Sequence, residues 1–544
     1  MSEKTLRRKR SLQRSVAYFL GTAVVTALAG AYALSVWYNP AELHTAAPPP
    51  DTVTPTRIET IFMPLDRQSV PVPQTAEGSG GAITDWDGPV VVTQTGEFFG
   101  VDGEEARLLD IAPPPNNVTA YVEHVASIDS RDPVDYWFRY NDIHYTDQFG
   151  GRVFLSYSYW NTDDNCLTTR ISFANVDAVP QSLGSSDWEL LYETAPCLPI
   201  SPFGPPLHAQ MAGGRLVIDG DALLLSSGDY GKDGLNDFPI APQLDDHDYG
   251  KVIEIDVATG TARHLSKGHS NPQGIAVDTG GNIWIAEHGR RGGDELNLIL
   301  QGRNYGWPMT SLGTRYNKLA LPTITENGVH SDGYEPPVFA WLPSIAPGAM
   351  VLVDGFDPLW DGDLLVGSLA AQSLHRVRLR DGRVLFAEDI PLGHRVRDLE
   401  ILSDGRIAAW TDSRTIELLS VGEADFAFDM ASRFVTDINA DDAVRAQLRT
   451  TVDQCIQCHS LGQITTAGAP PALGRVFGEP FSASIAEKHA GPEEKVWSKE
   501  TLTAYLDDPQ TFAPGSSMPD PMLDQGEILD NLVLLLSILA LNPQ

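Results

Sequence analysis

Short apolar segments separated by glycine and aspartate turns recur between residues 57 and 421. Segments 89–93, 152–157 and 213–218 each follow such a turn. This pattern predicts short β-strands, and six loosely repeated units of it are present. Radial repetition of small sheets protects strand edges, so we expect a six-bladed β-propeller rather than a sandwich. A strand within residues 57–63 is expected to close the ring against the last blade.

The pattern changes to helical spacing from about residue 440. Segments 441–454, 497–506 and 523–541 each predict a helix. The run 532–541 is nearly all apolar but too short to cross a bilayer, so it is expected to face a core. The sequence therefore predicts a mainly β protein, with a six-bladed propeller followed by an all-α domain.

The first forty residues predict a membrane anchor. Six basic residues lie within 1–15, and no charged residue occurs in 16–37. About 20 apolar residues can span a bilayer, and basic residues on the N-terminal side keep that side in the cytoplasm. The alternative is a cleaved signal peptide, because residues 31–33 resemble a processing site. Either way the body is exported, and we expect it in the periplasm, tethered to a bacterial inner membrane.

These boundaries give a predicted domain order. It comprises a cytoplasmic basic segment (1–15), a transmembrane helix (16–38), a proline-rich linker (39–56), the propeller (57–421), a second linker (422–439) and the helical domain (440–544).

Charge and cysteine usage narrow the partners and the compartment. The chain has 72 acidic and 38 basic residues, a formal net charge of −34. A nucleic-acid partner would need a basic surface, so none is expected. Cys166 and Cys197 lie in polar stretches of an exported body, which predicts a disulfide, the alternative being two unpaired thiols.

The segment 455–459 reads Cys-Ile-Gln-Cys-His, the attachment signature of a c-type haem. Cys455 and Cys458 would bond the porphyrin vinyl groups, and His459 would become an axial ligand of the iron. A zinc or redox site is the alternative. Zinc would need two more soft ligands, and the other two cysteines lie far upstream. The motif therefore predicts covalently bound haem c and electron transfer.

A second axial ligand is predicted on the loop 514–519, which reads Pro-Gly-Ser-Ser-Met-Pro. Met518 is the candidate, with Met522 as the competitor four positions later. Thioether ligation favours ferrous iron and raises the reduction potential, which suits an electron acceptor.

Residues 440–544 resemble a class I cytochrome c. The resemblance is carried by the haem motif, by the stretch 471–478 and by Trp497 and Tyr505. It implies that Trp497 and Tyr505 line the haem crevice.

The propeller has its most informative segments at 271–277, 287–297 and 304–308. They read as strands around a glycine-rich acidic loop, which could hold calcium or simply form a tight charged turn. Together with 343–348, 362–369 and 395–398, they resemble the soluble glucose/sorbosone dehydrogenases, a family that includes aldose dehydrogenases using pyrroloquinoline quinone (PQQ).

The resemblance implies PQQ and calcium as cofactors. It implies a histidine base, here His208, and cofactor or metal contacts from Asn271, Tyr316, Arg395, Arg397, Glu295 and the backbone of Tyr305. Paired arginines suit the carboxylates of PQQ. Their alternative role is a salt bridge to Asp398 or Glu400.

Some family positions carry other residues. Met211 occupies the usual position of the base, His208 lies three residues earlier, and Ser270 replaces an arginine. Two functions therefore follow as hypotheses. The first is a membrane-anchored dehydrogenase that oxidises a sugar or related alcohol and passes electrons through its haem to the respiratory chain. The second is a non-catalytic propeller that binds a partner and carries an electron-transfer haem.

Overall fold

The computed structural model describes a six-bladed propeller and a helical C-terminal region. The described residues are 56–61, 63–73, 80–128, 138–176, 178–180, 182–200, 209–314, 333–422, 426–461, 470–482, 485, 495–521, 523 and 526–541.

The first three blades are built from consecutive antiparallel strands, except that the short β19 is added in parallel to the outer strand of the third blade. The first contains Gly81–Asp85 (β3), Pro89–Thr93 (β4), Phe98–Asp102 (β5) and Glu105–Leu108 (β6). The second contains Tyr140–Thr146 (β7), Arg152–Asn161 (β8), Cys166–Asn175 (β9), Glu189–Glu193 (β10) and Leu198–Pro199 (β11). The third contains Gly213–Asp219 (β12), Ala222–Ser227 (β13), Lys251–Asp256 (β14), Ala262–Lys267 (β15) and Arg303–Asn304 (β19).

The other three blades follow the same plan, and the last one uses both ends of the propeller chain. The fourth contains Pro272–Val277 (β16), Ile283–Glu287 (β17), Asp294–Leu298 (β18) and Phe339–Trp341 (β20). The fifth contains Pro347–Leu352 (β21), Leu364–Ser368 (β22), Ser373–Arg380 (β23) and Arg383–Pro391 (β24). The sixth contains Val396–Ile401 (β25), Ile407–Thr411 (β26), Thr415–Val421 (β27), Pro64–Pro71 (β2) and Thr56–Glu59 (β1).

The six predicted units are therefore confirmed as six blades. An N-terminal strand does close the ring against the last blade, as predicted, but this strand is Pro64–Pro71 rather than one within residues 57–63. β2 pairs with β27 over the register Leu65↔Val421 to Pro71↔Thr415, and β1 is the outer neighbour of β2. The inner strands β3, β7, β12, β16, β21 and β25 contact one another in that order, and β25 contacts β3.

Apolar side chains fill the space between neighbouring blades. Phe154 of the second blade packs in one cluster with Leu225 of the third. Trp284 of the fourth blade shares another cluster with Val366 of the fifth. Central strands are apolar on both faces: Leu225 packs toward the second blade, and its neighbour Leu224 packs toward the fourth.

One helix interrupts the propeller and was not predicted. Val118–Ile128 (α1) lies between the first two blades. Tyr121 and Val125, one turn apart, are buried in a cluster with Trp160. The apolar i, i+4 pair holds this helix against the second blade.

The regular elements described in the C-terminal region are helices, apart from one isolated β-bridge between Pro480 and Val496. The region contains Phe426–Asp437 (α2), Asp442–Cys455 (α3), Leu473–Val476 (α4), Lys499–Asp507 (α5), Pro509–Phe512 (α6) and Glu527–Leu541 (α7). The three predicted helices are present, and the last begins four residues later than expected. α2 occupies most of the predicted linker 422–439. α7 packs on α2, α3, α4 and α5, so the apolar C-terminal run is the centre of this core.

Cys166 and Cys197 form the predicted disulfide, with their Cα atoms 5.5 Å apart. It joins the start of β9 to the segment before β11. In the part of the chain that the structure describes, no helix has the length and apolar character needed to span a bilayer. The predicted anchor, 16–38, lies outside that part.

Candidate functional site

The haem motif forms the turn that ends α3. Asp441 caps the start of this helix by accepting a hydrogen bond from the Val444 amide at 2.8 Å. At the other end the amides of Cys458 and His459 donate to the Cys455 carbonyl, at 3.1 and 3.0 Å. The turn therefore brings both thiols and the imidazole together.

His459 is oriented for iron ligation by its backbone partner. Its Nδ1 lies 2.8 Å from the carbonyl oxygen of Pro471. A carbonyl only accepts, so Nδ1 carries the proton and Nε2 keeps its lone pair for the metal. Burial lowers the pKa of His459, which favours the neutral form that binds iron.

Met518 lies on a loop fixed by several hydrogen bonds. Its amide donates to Ser516 Oγ at 3.3 Å, and Ser516 Oγ is 2.7 Å from the Tyr505 hydroxyl. Gln510 donates to the Ser516 carbonyl at 2.8 Å. Met518 is half-buried and packs on the same cluster as Cys455. The loop therefore presents the predicted thioether to the core that carries the haem cysteines, whereas Met522 lies outside the described residues.

An aromatic cluster lines the same core. The ring centroid of Trp497 lies 5.0 Å from that of Tyr505 and 4.6 Å from that of Phe481, and Phe512 stacks on Trp497 at 5.9 Å. Trp497 and Tyr505 were predicted for this role; Phe481 and Phe512 were not. The cluster supplies apolar walls of the kind a porphyrin needs.

In the propeller, one end of the ring collects arginines, and we call it the arginine end. It is the end at which the inner strands begin, and it carries Arg139, Arg215, Arg395 and Arg397. Gly213 and Gly214 both have positive φ, and a Cβ on Gly214 would lie 2.6 Å from the Asn141 side chain. Only glycine fits there, and this backbone leads Arg215 into the centre of the ring.

Arg215 joins several blades. Its guanidinium lies 2.9 Å from Asp398 and 3.3 Å from Asp142, and it donates to the carbonyls of Gly348 and Arg397. Leu216 donates its amide to Asp142 at 2.6 Å. Arg215 is thus a buried clamp between inner strands rather than a ligand-binding group.

The alternative partners proposed for Arg395 and Arg397 were wrong. Both arginines pair with Asp412 instead, Arg395 Nε at 2.7 Å and Arg397 NH2 at 2.9 Å. Antiparallel pairing of β25 with β26 brings Val396 opposite Thr411, so Asp412 lies beside both. The arginines hold the pKa of Asp412 below its ordinary value despite burial. Aligning the predicted strands β25 and β26 as an antiparallel hairpin would have placed Asp412 beside Arg395 and Arg397.

Arg139 and His288 belong to the arginine end and were missed as site residues. Desolvation of the half-buried Arg139 and the charges of Arg397 and Arg215 lower its pKa to about 9. Burial lowers the pKa of His288, and the charges of Arg397 and Arg139 lower it further, against the opposing charge of Asp294. Positive charge therefore accumulates here, and His288 is neutral at pH 7.

Asn271 also lies at the arginine end, directly before β16. Its Oδ1 accepts from the Gly213 amide at 3.3 Å and from Gln273 Nε2 at 2.9 Å. Ser270, where the family has an arginine, donates its amide to Glu287 at 2.9 Å. Asn271 thus links the third and fourth blades.

A cavity of about 310 Å³ continues along the ring axis beside Arg215. Asp142, His144, Asp398 and Glu400 contribute to its wall. Burial raises the pKa of Asp142 to about 7 and lowers that of His144 to about 4. Desolvation therefore disfavours the charged forms of both side chains, although the ion pair with Arg215 opposes this effect at Asp142.

Glu295 lies in a buried acidic pair with Glu287. Asn297 Nδ2 donates to Glu295 at 3.2 Å and to Glu287 at 2.9 Å, and Asn297 Oδ1 has no hydrogen-bond partner. Burial and the charge of Glu287 raise the pKa of Glu295 well above its ordinary value. Tyr305 stacks on His269, which itself contacts Glu287 at 3.0 Å.

Two predicted residues, His208 and Tyr316, lie outside the described residues. Within the described ranges, no group of three or more His, Cys, Asp or Glu side chains is arranged to hold a metal.

Comparisons with known proteins agree with this architecture. Residues 141–420 match the family model described as Glucose / Sorbosone dehydrogenase. The aldose sugar dehydrogenase of Escherichia coli is 34% identical over 230 residues, which are 38% of this chain and 59% of that protein. The crystal structure of the soluble E. coli aldose sugar dehydrogenase superposes with a TM-score of 0.52 at 24% identity, covering 65% of this chain and 99% of that one.

The helical domain has its own relatives. Cytochrome c2 of Agrobacterium tumefaciens is 30% identical over 86 residues, which are 15% of this chain and 78% of that protein. The resemblance to a cytochrome c is thereby confirmed.

Proposed function

Because the chain belongs to the glucose/sorbosone dehydrogenase family, we propose that its propeller is a PQQ-dependent dehydrogenase acting on an aldose or related alcohol. The family match and the cytochrome c relatives make the chain an electron-transfer oxidoreductase. The proposal adds that electrons leave the propeller through haem c and pass to a respiratory acceptor.

The observation that carries the PQQ proposal is the surplus of positive charge at the arginine end. Four arginines, Arg139, Arg215, Arg395 and Arg397, meet at this end, and desolvation together with the charges of Arg397 and Arg215 lowers the pKa of Arg139 to about 9. An anion with three carboxylates would relieve this repulsion, and guanidinium groups bind carboxylates in bidentate fashion. The E. coli relative's name identifies it as an aldose sugar dehydrogenase, which supports the substrate class.

The chain's own residues would bind and orient the reactants. Arg395 and Arg397, fixed by Asp412, would hold the cofactor carboxylates, and Asn271 would fix the neighbouring inner strand. His208 is the proposed base for the sugar hydroxyl proton. When bound, PQQ would supply the two-electron acceptor for the oxidation.

Calcium belongs to the same proposal. Glu295 and the adjacent Glu287 are buried carboxylates, and Asn297 Oδ1 beside them has no hydrogen-bond partner. A divalent cation prefers such ligands and would offset the charge that raises the pKa of Glu295.

Two features of the helical domain suit it to hold haem c. Protonation of His459 Nδ1 leaves Nε2 available for the iron, and Met518 packs against the same apolar core as Cys455.

We also propose the inner membrane as the location, through residues 16–38, with the body in the periplasm. A fusion protein retaining residues 1–56, probed with protease from either side of the membrane, tests this topology.

One experiment tests the main proposal. Purified haem protein is incubated with PQQ and calcium, and a panel of aldoses is added with a small-molecule dye as the electron acceptor. Sugar-dependent dye reduction by the wild type, slowed at sub-saturating PQQ in Arg397→Ala but not in Arg406→Ala, supports the dehydrogenase. Absence of PQQ binding in calorimetry contradicts it.

The non-catalytic alternative is favoured by one observation. Asp412 forms salt bridges with both Arg395 and Arg397, so it already offsets part of their positive charge. If PQQ does not bind, the same titration repeated with acidic ligands would identify what the arginine end recognises.

A further inference from the structure

The haem-attachment turn is docked on the fifth blade. Arg378 of β23 donates to the carbonyl of Gln457, which lies between the two haem cysteines, and to the carbonyl of Leu359. Its Nε and NH2 bind Asp363 at 2.7 and 2.8 Å. One buried guanidinium thus connects the blade to the turn that would carry the haem.

The docking surface is rigid. Arg376, fully buried, binds Asp363 at 2.6 Å and Glu388 at 2.7 Å, and Glu388 accepts from the Ile61 amide at 2.6 Å. Leu359 packs against the core of the helical domain and against the core of the fifth and sixth blades. Buried charges held in such a network have little freedom to move, so the contact is a built interface.

The strand register places this interface away from the arginine end. Gly348, whose carbonyl binds Arg215, lies at the start of β21. Leu352 at the other end of β21 is level with Leu364, which is level with Val377, and Arg378 lies one residue beyond. Four residues span about 13 Å along a strand, and two strand spacings add about 10 Å across the sheet. The haem turn therefore sits at the far end of the blade, where the inner strands end.

The connection between the domains begins at the same far end. Ile401, the last residue of β25, pairs with Ile407, and Ile407 pairs with Leu419 near the end of β27. β27 ends at Val421, and α2, which packs in the helical domain, starts at Phe426. Four intervening residues reach at most about 14 Å. That is too short to carry the haem domain around the blade.

We propose that the haem of one molecule is reduced at the arginine end of a second molecule of the same chain, with Arg378 as the residue that positions the haem domain. This inference rests on the proposed dehydrogenase function. Oxidising one hydroxyl group to a carbonyl releases two electrons and two protons. Each ferric haem takes one electron, so one turnover reduces two haems and releases both protons to water. Electron transfer slows steeply with distance, which favours contact between two molecules over passage through the blade.

Dilution tests the proposal. Sugar is mixed rapidly with the PQQ-loaded haem protein, and the rate constant of haem reduction is measured over a hundredfold range of protein concentration. The rate constant should fall about tenfold for each tenfold dilution. A rate constant that does not change with dilution would overturn the proposal. If the dye is not reduced either, the dehydrogenase function itself fails.

Mixed variants give a direct test. Cys455→Ala/Cys458→Ala removes haem attachment, and Arg397→Ala weakens the propeller site. Neither alone should reduce haem rapidly with sugar, whereas their mixture should reduce the haem of the Arg397→Ala chain. A mixture no faster than that chain alone would contradict the proposal, provided that the haem-free chain still reduces the dye.

Arg378→Gln tests the docking without relying on activity. Loss of a fixed cation beside the haem should lower its midpoint potential, and release of the domain should make the full chain more susceptible to protease cleavage between its propeller and its helical domain. Arg107→Gln, at an exposed salt bridge on the first blade, is the control and should change neither. If Arg378→Gln matches this control in both measurements, the docking is wrong. If its haem reduction becomes independent of concentration, the argument from the short connection is wrong.

Discussion

The candidate sites in the haem domain and at the arginine end of the propeller are assembled in opposite ways. In the haem domain, Cys455, Cys458 and His459 lie in one five-residue turn, and Met518 follows on one nearby loop. At the arginine end, Arg139, Arg215 and Arg397 come from three different blades. The first site depends on local chain geometry, whereas the second exists only when the ring has closed.

This difference predicts that the two sites tolerate substitutions differently. Removing a haem ligand removes the chemistry, because no neighbouring residue replaces it. Removing one arginine leaves other positive groups nearby, because the propeller gathers several charges at one place. We therefore expect all-or-none effects in the haem domain and graded effects in the propeller.

The largest effect is expected for Met518→Ala. The iron should lose its sixth ligand, so the low-spin methionine-ligated spectrum disappears and the midpoint potential falls. Absorption and magnetic circular dichroism of the ferric protein measure this loss.

Met522→Ala is the matched control, four residues away. It should keep the wild-type spectrum. If Met522→Ala loses the low-spin signal and Met518→Ala retains it, the ligand assignment is reversed, and the local character of the haem site would still hold.

A second, graded effect is expected for Arg397→Ala. Hydrogen bonds to charged groups contribute about 1.5–3 kcal/mol, so PQQ affinity should weaken about 10- to 100-fold. Arg395 remains paired with Asp412, so the blade should stay folded. Calorimetric titration with PQQ measures the change.

Arg406→Ala is the control from the same blade, since Arg406 pairs with Asp404 in an exposed turn. It should bind PQQ as the wild type does. Equal affinities for Arg397→Ala and wild type would show that the arginine end does not bind the cofactor.

The sequence predicted the elements that depend on local pattern. The six blades, the disulfide and the three helices of the haem domain followed from turns, spacing and composition, and the structure contains them. The closing strand was placed too early: residues 56–59 and 64–71 both form strands, and only pairing with β27 identifies the second as the one that closes the ring.

Side-chain partners were harder to predict because they depend on register. Asp412 lies fifteen residues beyond Arg397 and meets it only through the hairpin of β25 and β26. Arg378 meets Gln457 across 79 residues and two domains. Arg139 and His288 were missed for the same reason: Arg139 lies outside the segments singled out in the sequence, and segment 287–297, which contains His288, does not reveal which arginines face it.

A third effect concerns stability of the propeller alone. Cys166→Ala/Cys197→Ala opens a loop of 31 residues, which should cost about 2–4 kcal/mol of unfolding free energy. The calorimetric transition of the propeller should move to lower temperature while the haem spectrum is unchanged. A shift in the haem spectrum would show that the two domains are more strongly coupled than their separate cores imply.

The smallest effect is expected from calcium at the acidic pair, and it depends on pH. Burial and Glu287 raise the pKa of Glu295, so the folded state binds more protons than the unfolded state, and stability falls as pH rises above the ordinary carboxyl range. A bound cation would offset this penalty, so calcium should raise the melting temperature by about 2 °C more at pH 8 than at pH 5. Glu295→Gln removes the titrating group and should abolish that difference. An equal calcium effect at both pH values in the wild type would place the ion elsewhere. The pH-dependent calcium effect expected for the propeller would separate the two sites further, because the spectrum of the haem domain, whose ligands are local, should not depend on calcium at either pH.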